Sequence, residues 1–241
     1  MKKLYLGIDV GGSKVRGVLW DGRRVLSSRE FKTPRSMAAF GRMIRSLVAQ
    51  LVRGAKEPIR GIGIGAAGVI GGTRLRVSPN IPYLKKFDFT ALHLPVPFRL
   101  DNDARAFCRA EARIGAGKGS RRILACTIGT GIGRAYSDGG RVRMIKRFEY
   151  PERWEKTYQR VRDRGVTPAL AAFLGEKLGG FVRRYRPDVF VLGGGVLGRP
   201  KMLGMLKAEL RRRGVNATLR RGRLGPNAAA IGAALLFGRR R

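Results

Sequence analysis

Carboxylates are scarce in this chain. Its 241 residues hold 16 Asp and Glu against 51 Lys and Arg, a formal net charge of +35. Such a chain repels itself and attracts polyanions, so nucleic acid, polyphosphate and an anionic membrane surface are the candidate partners. The alternatives are a general arginine bias and a salt-rich cytosol. Residues 1–100 carry 19 basic and 5 acidic side chains, and the remaining 32 and 11 lie beyond. That even spread favours the general bias over one dedicated patch, with polyanion contact left open. Only Arg239-Arg240-Arg241 reads as a basic tail.

Cysteine and histidine are nearly absent. Cys108 and Cys126 lie in apolar segments and read as reduced core residues of a cytoplasmic protein. His93 is the only histidine and reads as a loop or surface residue. No apolar run approaches the length of a bilayer, so no membrane partner is expected. Met1–Gly7 resembles a secretory signal for a few residues, but Asp9 breaks the run and no small-residue cleavage site follows. The first glycine turn matches neither of two well-known phosphate motifs. Gly11-Gly12-Ser13 follows one strand and opens another, whereas a dinucleotide-binding fingerprint leads into a helix. The near miss to a Walker A loop, Gly117-Lys118-Gly119, lacks the upstream glycine and the hydroxyl.

What is present is a strand–glycine turn–strand unit, used twice. With 44% apolar residues the chain can bury a core, as one large domain or two small ones. Residues 4–10 read as a strand, Gly11-Gly12-Ser13 turns it, and Val15–Trp20 returns. Asp21-Gly22 is a hairpin turn into Arg24–Phe31. Met37, Phe40, Ile44, Leu47, Val48 and Leu51 have helical spacing over 36–53. Ile59–Ile64 is a strand, Ser78-Pro79-Asn80 opens an irregular stretch, and Val96–Leu100 is a short strand. The pattern restarts with a helix over Ala104–Ile114, a strand at Ile123–Ile128, the turn Gly129–Gly133 and a strand near Ala135–Ser137. Helices over 167–185, 200–213 and 227–237 and strands at Asp188–Leu192 and Val215–Leu219 complete the expectation. The repeat implies two related α/β lobes facing each other.

The turns suggest chemistry. Backbone N–H groups at Gly11-Gly12 can approach phosphate oxygens with no Cβ in the way. Ser13 adds a hydroxyl donor, Lys14 a positive charge, and Asp9 is placed to hold a water bound to Mg2+. Taken alone, this turn is better explained as an ordinary glycine hairpin. Gly129-Thr130-Gly131-Ile132-Gly133 repeats the chemistry, and Gly193-Gly194-Gly195 ends a buried strand where adenine could lie on bare backbone. Between the lobes stands Leu100-Asp101-Asn102-Asp103-Ala104. A kinase for alcohols needs one carboxylate to accept the hydroxyl proton, a role Asp103 fits. Capping of the following helix is the competing and compatible role, with Asn102 or Asp101 as cap; Asn102 could also bind substrate hydroxyls.

Taken in order, Leu6–Lys14, Gly65-Ala66-Ala67-Gly68, Ser78-Pro79-Asn80, Asn102-Asp103-Ala104, Gly129–Gly133, Leu192–Val196 and a final Gly-Ala-Ala helix resemble the ROK family of repressors, open reading frames and sugar kinases. The resemblance implies an α/β actin-like ATPase (ribonuclease H-like) fold with the active site in an interlobe cleft. The lobes would be 1–100, with a closing helix 226–241 packing back, and 101–225. It implies Asp103 as base, with Gly68, Asn80 and Asn102 near the sugar, ATP or polyphosphate with Mg2+ as donor, and a homodimer. The expected activity is glucokinase-like phosphoryl transfer to a hexose. The alternatives are a non-catalytic sugar or nucleotide sensor and a polyanion-binding protein on the same scaffold. The family's Glu-x-Gly-His segment and its cysteine-rich zinc site are missing from 140–151, so no zinc is expected. Glu149 stands in for the sugar-binding Glu, and Glu152 or Glu155 for a second. Compact members similar to polyphosphate glucokinases are near in length. With the phosphate strand opening at residue 4, the helix-turn-helix of family repressors is not expected.

Overall fold

The structure, a computed structural model, describes residues 3–199, 201–215 and 217–238. It divides into two compact units, one running to Ala110 and resuming at Asn227, the other Glu111–Pro226. The expected division at residue 100 thus moves into a helix, because the strand and the first turns of helix beyond that point pack with the first unit. Met1 and Lys2 of the signal-like start, Pro200 of the expected helix 200–213, Asn216 of the expected strand Val215–Leu219 and the Arg239-Arg240-Arg241 tail lie outside the described residues.

In the first unit β1 (Leu4–Val10), β2 (Lys14–Trp20) and β3 (Val25–Lys32) form an antiparallel meander. Helix α1 (Met37–Arg53) starts at Ser36, whose hydroxyl accepts the Ala39 N–H at 3.3 Å, the N-cap that satisfies one orphan amide. Its buried Phe40, Ile44, Leu47, Val48 and Leu51 line one face, each such side chain contributing about 1.5–3 kcal/mol by leaving water. Next come β4 (Ile59–Ala66), β5 (Val69–Gly71), β6 (Arg74–Val77), β7 (Phe87–Asp88), β8 (Phe98–Asn102) and α2 (Asp103–Ile114). The main sheet runs β3-β2-β1-β4-β8 with β1, β4 and β8 parallel. The stretch read as irregular from Ser78 is flanked by a small antiparallel sheet of β5, β6 and β7, whose strands are too short to show periodicity in sequence.

The second unit repeats that order. It holds β9 (Arg122–Ile128), β10 (Ile132–Asp138), β11 (Arg141–Arg143), α3 (Glu155–Asp163), α4 (Pro168–Tyr185), β12 (Val189–Gly193), α5 (Met202–Arg212) and β13 (Thr218–Arg221). Its sheet runs β11-β10-β9-β12-β13, with the first two pairings antiparallel and the last two parallel. Thr167 caps α4 by accepting the Leu170 N–H at 3.2 Å, with Pro168 at the first helical position. The last strand lies three residues later than expected from Val215, because Gly214 turns the chain at φ +67° and Val215 is buried against the end of α5, its N–H donating to the Leu210 carbonyl.

The chain then returns to the first unit as α6 (Ala228–Ala234), shorter than the 227–237 expected from composition. This helix lies directly on strand backbone. A Cβ on Gly7 would meet the Ala230 carbonyl oxygen at 1.8 Å, and one on Gly63 the Ala233 carbonyl oxygen at 1.8 Å. The final Gly-Ala-Ala pattern is therefore the helix side of a contact whose sheet side is glycine. Replacing Gly63 by Ala is expected to destabilise the protein by about 3 kcal/mol, the upper range for overpacking. Gly180→Ala, at an exposed α4 position with nothing within 4 Å of the new methyl, should instead stabilise it by about 0.5–1 kcal/mol. Urea denaturation of both variants measures the contrast, and equal shifts would remove the backbone contact as the cause.

Candidate active site

Strands β1, β4 and β8 end side by side in the first unit. Their register aligns Asp9 with Gly65 and Asp101, and Val10 with Ala66 and Asn102. Ligands of α/β sheets bind beyond such carboxyl ends. β1 runs into the Gly11-Gly12-Ser13 turn, closed by the Gly11 N–H donating to the Lys14 carbonyl at 3.0 Å. A Cβ on Gly12 would lie 2.9 Å from the Cβ of Asn80, so the turn touches the Ser78-Pro79-Asn80 stretch because residue 12 is glycine. β4 runs into Ala67-Gly68. There the Ser78 hydroxyl donates to the Ala67 carbonyl at 2.8 Å and Asn102 Nδ2 donates to the Gly68 carbonyl at 3.0 Å.

Asn102 is also the cap of α2. Its Oδ1 accepts the N–H groups of Ala104 and Arg105 at 2.9 and 3.1 Å, and Asp103 is the first helical residue. Of the two possible caps the structure thus selects Asn102, whose amide is engaged at both ends. Asp101 does something the sequence analysis missed. It is buried, accepts from Arg105 Nε at 2.5 Å and pairs with Arg109. Burial pushes its carboxyl up, but Arg109 and Arg105 outweigh that and hold it below the ordinary aspartate range.

Asp9 and Asp103 are in the opposite state. Burial first, then the like charge of Asp103, push the Asp9 carboxyl up to about 7 against the pull of Arg16. Burial likewise raises Asp103, against the backbone N–H groups of Ala104 and of Asp103 itself. Arg16, opposite Asp9 across the β1–β2 ladder, is ion-paired to Glu30. Lys14 is held by the same carboxylate at 2.6 Å, so its charge is shared and not directed solely at the turn. Two mutually repelling carboxylates with hard oxygen atoms suit a divalent cation. Mg2+, which keeps most of its waters and takes one or two carboxylates, is chemically compatible with such a pair.

The other candidates belong to the second unit. The Gly129 N–H donates to the Gly131 carbonyl at 3.0 Å, closing that turn. Helix α3 braces it, which the sequence analysis did not foresee. Tyr158 Oη donates to the Gly129 carbonyl at 2.7 Å, and Arg162 Nη1 to the carbonyls of Gly129 and Thr130 at 3.1 and 2.6 Å. With those carbonyls engaged, a guanidinium stands beside the turn. Gly194, at φ +93°, lets the Gly193-Gly194-Gly195 run meet the end of β9, where a Cβ would lie 2.4 Å from the Ile128 carbonyl oxygen. Glu149, itself half-buried, closes the 3-10 turn Lys146–Glu149. Glu155 is buried against Arg134 at 2.9 Å, and Glu152 pairs with Arg147 at 3.0 Å. Arg134 is buried at 2% exposure over the rings of Trp154 and Phe181. His93 is exposed, and Cys108 and Cys126 are buried and stand outside any disulfide.

The profile of the ROK family matches residues 5–144. Glucokinase of Streptomyces coelicolor is 35% identical over 149 residues, 58% of this chain and 45% of that protein. N-acetylgalactosamine kinase of a Shewanella species is 30% identical over 137 residues, 54% of this chain and 44% of that protein. The matches span less than half the length of these curated relatives. Among solved structures, a ROK hexokinase of Thermus thermophilus is 27% identical with a TM-score of 0.75, covering 96% of this chain and 97% of the other. A ROK glucokinase of Streptomyces griseus in complex with glucose and AMPPNP has a TM-score of 0.83 at 22% identity, covering 97% and 98%. An inorganic polyphosphate/ATP glucomannokinase of Arthrobacter has a TM-score of 0.81 at 24% identity, covering 97% and 98%. The fold is the actin-like ATPase fold of these kinases.

The state of Asp9 predicts a pH dependence of stability. Its folded value of about 7 stands above the ordinary 3.8, so between those pH values the folded protein binds more protons than the unfolded chain and loses stability as pH rises. Asp9→Asn is therefore expected to be neutral near pH ~4 and stabilising near pH ~8 when divalent cations are removed. The gain should be about 1–2 kcal/mol, less than the roughly 4 kcal/mol equivalent to the whole shift, because the side chain keeps some contact with solvent. Urea denaturation at the two pH values measures it. No gain at the higher pH would mean that Asp9 titrates as an ordinary carboxyl.

Proposed function

Because the chain belongs to the ROK family, we propose that it is a hexose kinase, transferring the terminal phosphoryl group of ATP to a sugar hydroxyl. The observation that carries this reading is the Asp9–Asp103 pair, raised in proton affinity and placed with the Gly11-Gly12 turn where parallel strands end.

Asp103 is the base. Its raised proton affinity makes it a better acceptor for a hydroxyl proton than an ordinary aspartate, provided that it is ionised at the working pH. The proton passes from the sugar hydroxyl to Asp103 as that oxygen bonds to the phosphorus and the bond to the leaving ADP breaks. Asn102 acts by position. With one end on Gly68 and the other on the first amides of α2, it sets Asp103 against the loop expected to bind the sugar, with Asn80 on the other side of the Gly12 contact. The backbone N–H groups of Gly11, Gly12 and Ser13, with Lys14, bind phosphate oxygens, as do Gly129, Thr130 and Gly131 with Arg162 behind them. Gly193, Gly194 and Gly195 offer bare backbone to adenine. A bound Mg2+ supplies charge that offsets the phosphates, and Asp9 would hold it through water. Glu149 keeps the sugar-contacting role that the family resemblance implies.

Glutamates 152 and 155 are assigned no sugar contact, since Arg147 and Arg134 take them. With ATP as donor the reaction belongs to the cytoplasm, and the family implies a homodimer. Polyphosphate remains the second donor, because one structural neighbour is named for both donors. ADP release measured over hexoses and N-acetylhexosamines tests the reading. Asp103→Asn should lower kcat by about 10²–10⁴-fold with little change in KM. Exchanging ATP for polyphosphate and measuring sugar phosphate decides the donor. Absence of sugar-dependent turnover in the wild type, or turnover unchanged in the variant, would overturn the mechanism and favour a sensor.

A further inference from the structure

A groove of about 710 Å³ lies at the outer edge of the second unit's sheet, a volume in the range of small-molecule sites. It runs between the Gly115–Lys118 loop, edge strand β13 and the α5 residue Lys207. Its charged side chains are Lys118, Lys207, Arg220, Arg221 and Arg223, and no Asp or Glu lines it. None of these five makes an ion pair among the described residues. Arg220 Nη1 donates to the Ala116 carbonyl at 2.9 Å and Arg223 Nη2 to the Ile114 carbonyl at 3.1 Å. Both guanidiniums are thereby fixed in place with neither paired to a carboxylate.

The walls are also joined from behind. Glu111 is fully buried. Its carboxylate accepts the N–H groups of Ala116 at 2.7 Å, Arg223 at 3.1 Å and Leu224 at 3.1 Å. One carboxylate thus ties the loop on one side to the exit of β13 on the other, and the groove is preformed. Holding like charges together costs free energy, and a preformed site lowers the ordering cost of a ligand that neutralises them.

We propose that this groove binds a condensed phosphate chain. Several adjacent cations call for a ligand with several adjacent anionic groups, which a single carboxylate or phosphate does not provide. No aromatic side chain lines the groove, so there is no surface for base stacking as in single-strand nucleic-acid sites. A phosphate chain recognised by charge and guanidinium hydrogen bonds fits both facts. The site is separate from the proposed transfer site, since no residue of Gly129–Gly133 or Gly193–Gly195 lines it. It does not depend on the kinase reading.

The test is calorimetric titration of the full chain with inorganic tripolyphosphate, at near-physiological salt and without divalent cations, with the groove variants below separating this site from the proposed transfer site. The wild type should bind it, more weakly as salt rises. The exposed or half-exposed positions are changed together, as Lys118→Gln, Lys207→Gln and Arg221→Gln, leaving the carbonyl-anchored arginines in place. Binding should weaken at least tenfold while the thermal midpoint is kept. A second variant, Arg221→Glu alone, should weaken it further than Arg221→Gln. No binding by the wild type, or undiminished binding by the triple variant, would overturn the proposal. So would random duplex DNA that loses affinity in the triple variant and is not displaced by tripolyphosphate, since the groove would then be a nucleic-acid surface.

Discussion

Two aspartates repel each other at the end of β1 and the start of α2, and much of the first unit is arranged around keeping them there. In a chain with 51 cations to 16 anions, an arginine could easily have paired with either. Instead the neighbouring cations are engaged elsewhere. Arg16 and Lys14 share Glu30, and Arg105 and Arg109 hold Asp101. Asp9 and Asp103 thus keep a high proton affinity and an unmet need for positive charge, which a cation bound with phosphate can meet. A site that satisfied its own carboxylates would be more stable and less able to bind. Raised proton affinity at a cluster of this kind is the pattern expected where chemistry is done.

That conflict can be maintained only on a rigid base. β1 carries Asp9, β4 carries the Gly68 loop, and α6 lies on both through backbone contact at Gly7 and Gly63. Close packing of this kind leaves no side chain to rearrange, so the strand ends hold their register. Asn102 completes the arrangement by capping α2 and holding the Gly68 carbonyl with one amide group. The second unit uses different means for its own turn. Tyr158 and Arg162 reach its carbonyls from α3, and Gly194 allows the neighbouring strand end to close up.

Local chemistry was legible in the sequence, and long-range pairing was not. The glycine turns, the α1 apolar stripe, the strand preceding each turn and the capping role open to Asn102 all follow from residues a few positions apart. The duplicated strand order could be suspected from the repeated turn. By contrast, Asp101 looked like a cap, and only the fold shows it between two arginines a turn apart on α2. Helix α3 lay in a charged stretch with little periodicity, so its bracing of the second turn had no signal. Arg134 and Glu155 are separated by β11 and a 3-10 turn, so their pairing had no signal in local sequence. The edge of the first unit falls within α2, a helix that begins in one unit and continues into the other, and residues a few positions apart carry no sign of it.

The surplus of arginine also acquires a physical account. Many guanidiniums donate to backbone carbonyls. Arg99 donates to Leu236, Arg220 to Ala116 and Arg223 to Ile114 with no carboxylate partner among the described residues, while Arg109, Arg134 and Arg162 hold the carbonyls of Gly232, of Tyr150, and of Gly129 and Thr130 besides pairing with Asp101, Glu155 and Asp163. Used this way, arginine satisfies carbonyl groups at loops and helix ends without needing an acidic partner. Net charge then accumulates as a consequence of how loops are held, which explains a surplus spread along the chain. Spread is not uniformity, however. Where two such arginines, Arg221 and two lysines border one groove with no acid among them, the same structural habit yields a concentrated positive field. A dispersed count in the sequence and a localised patch in the fold are therefore compatible, because only the fold decides which of the dispersed cations become neighbours.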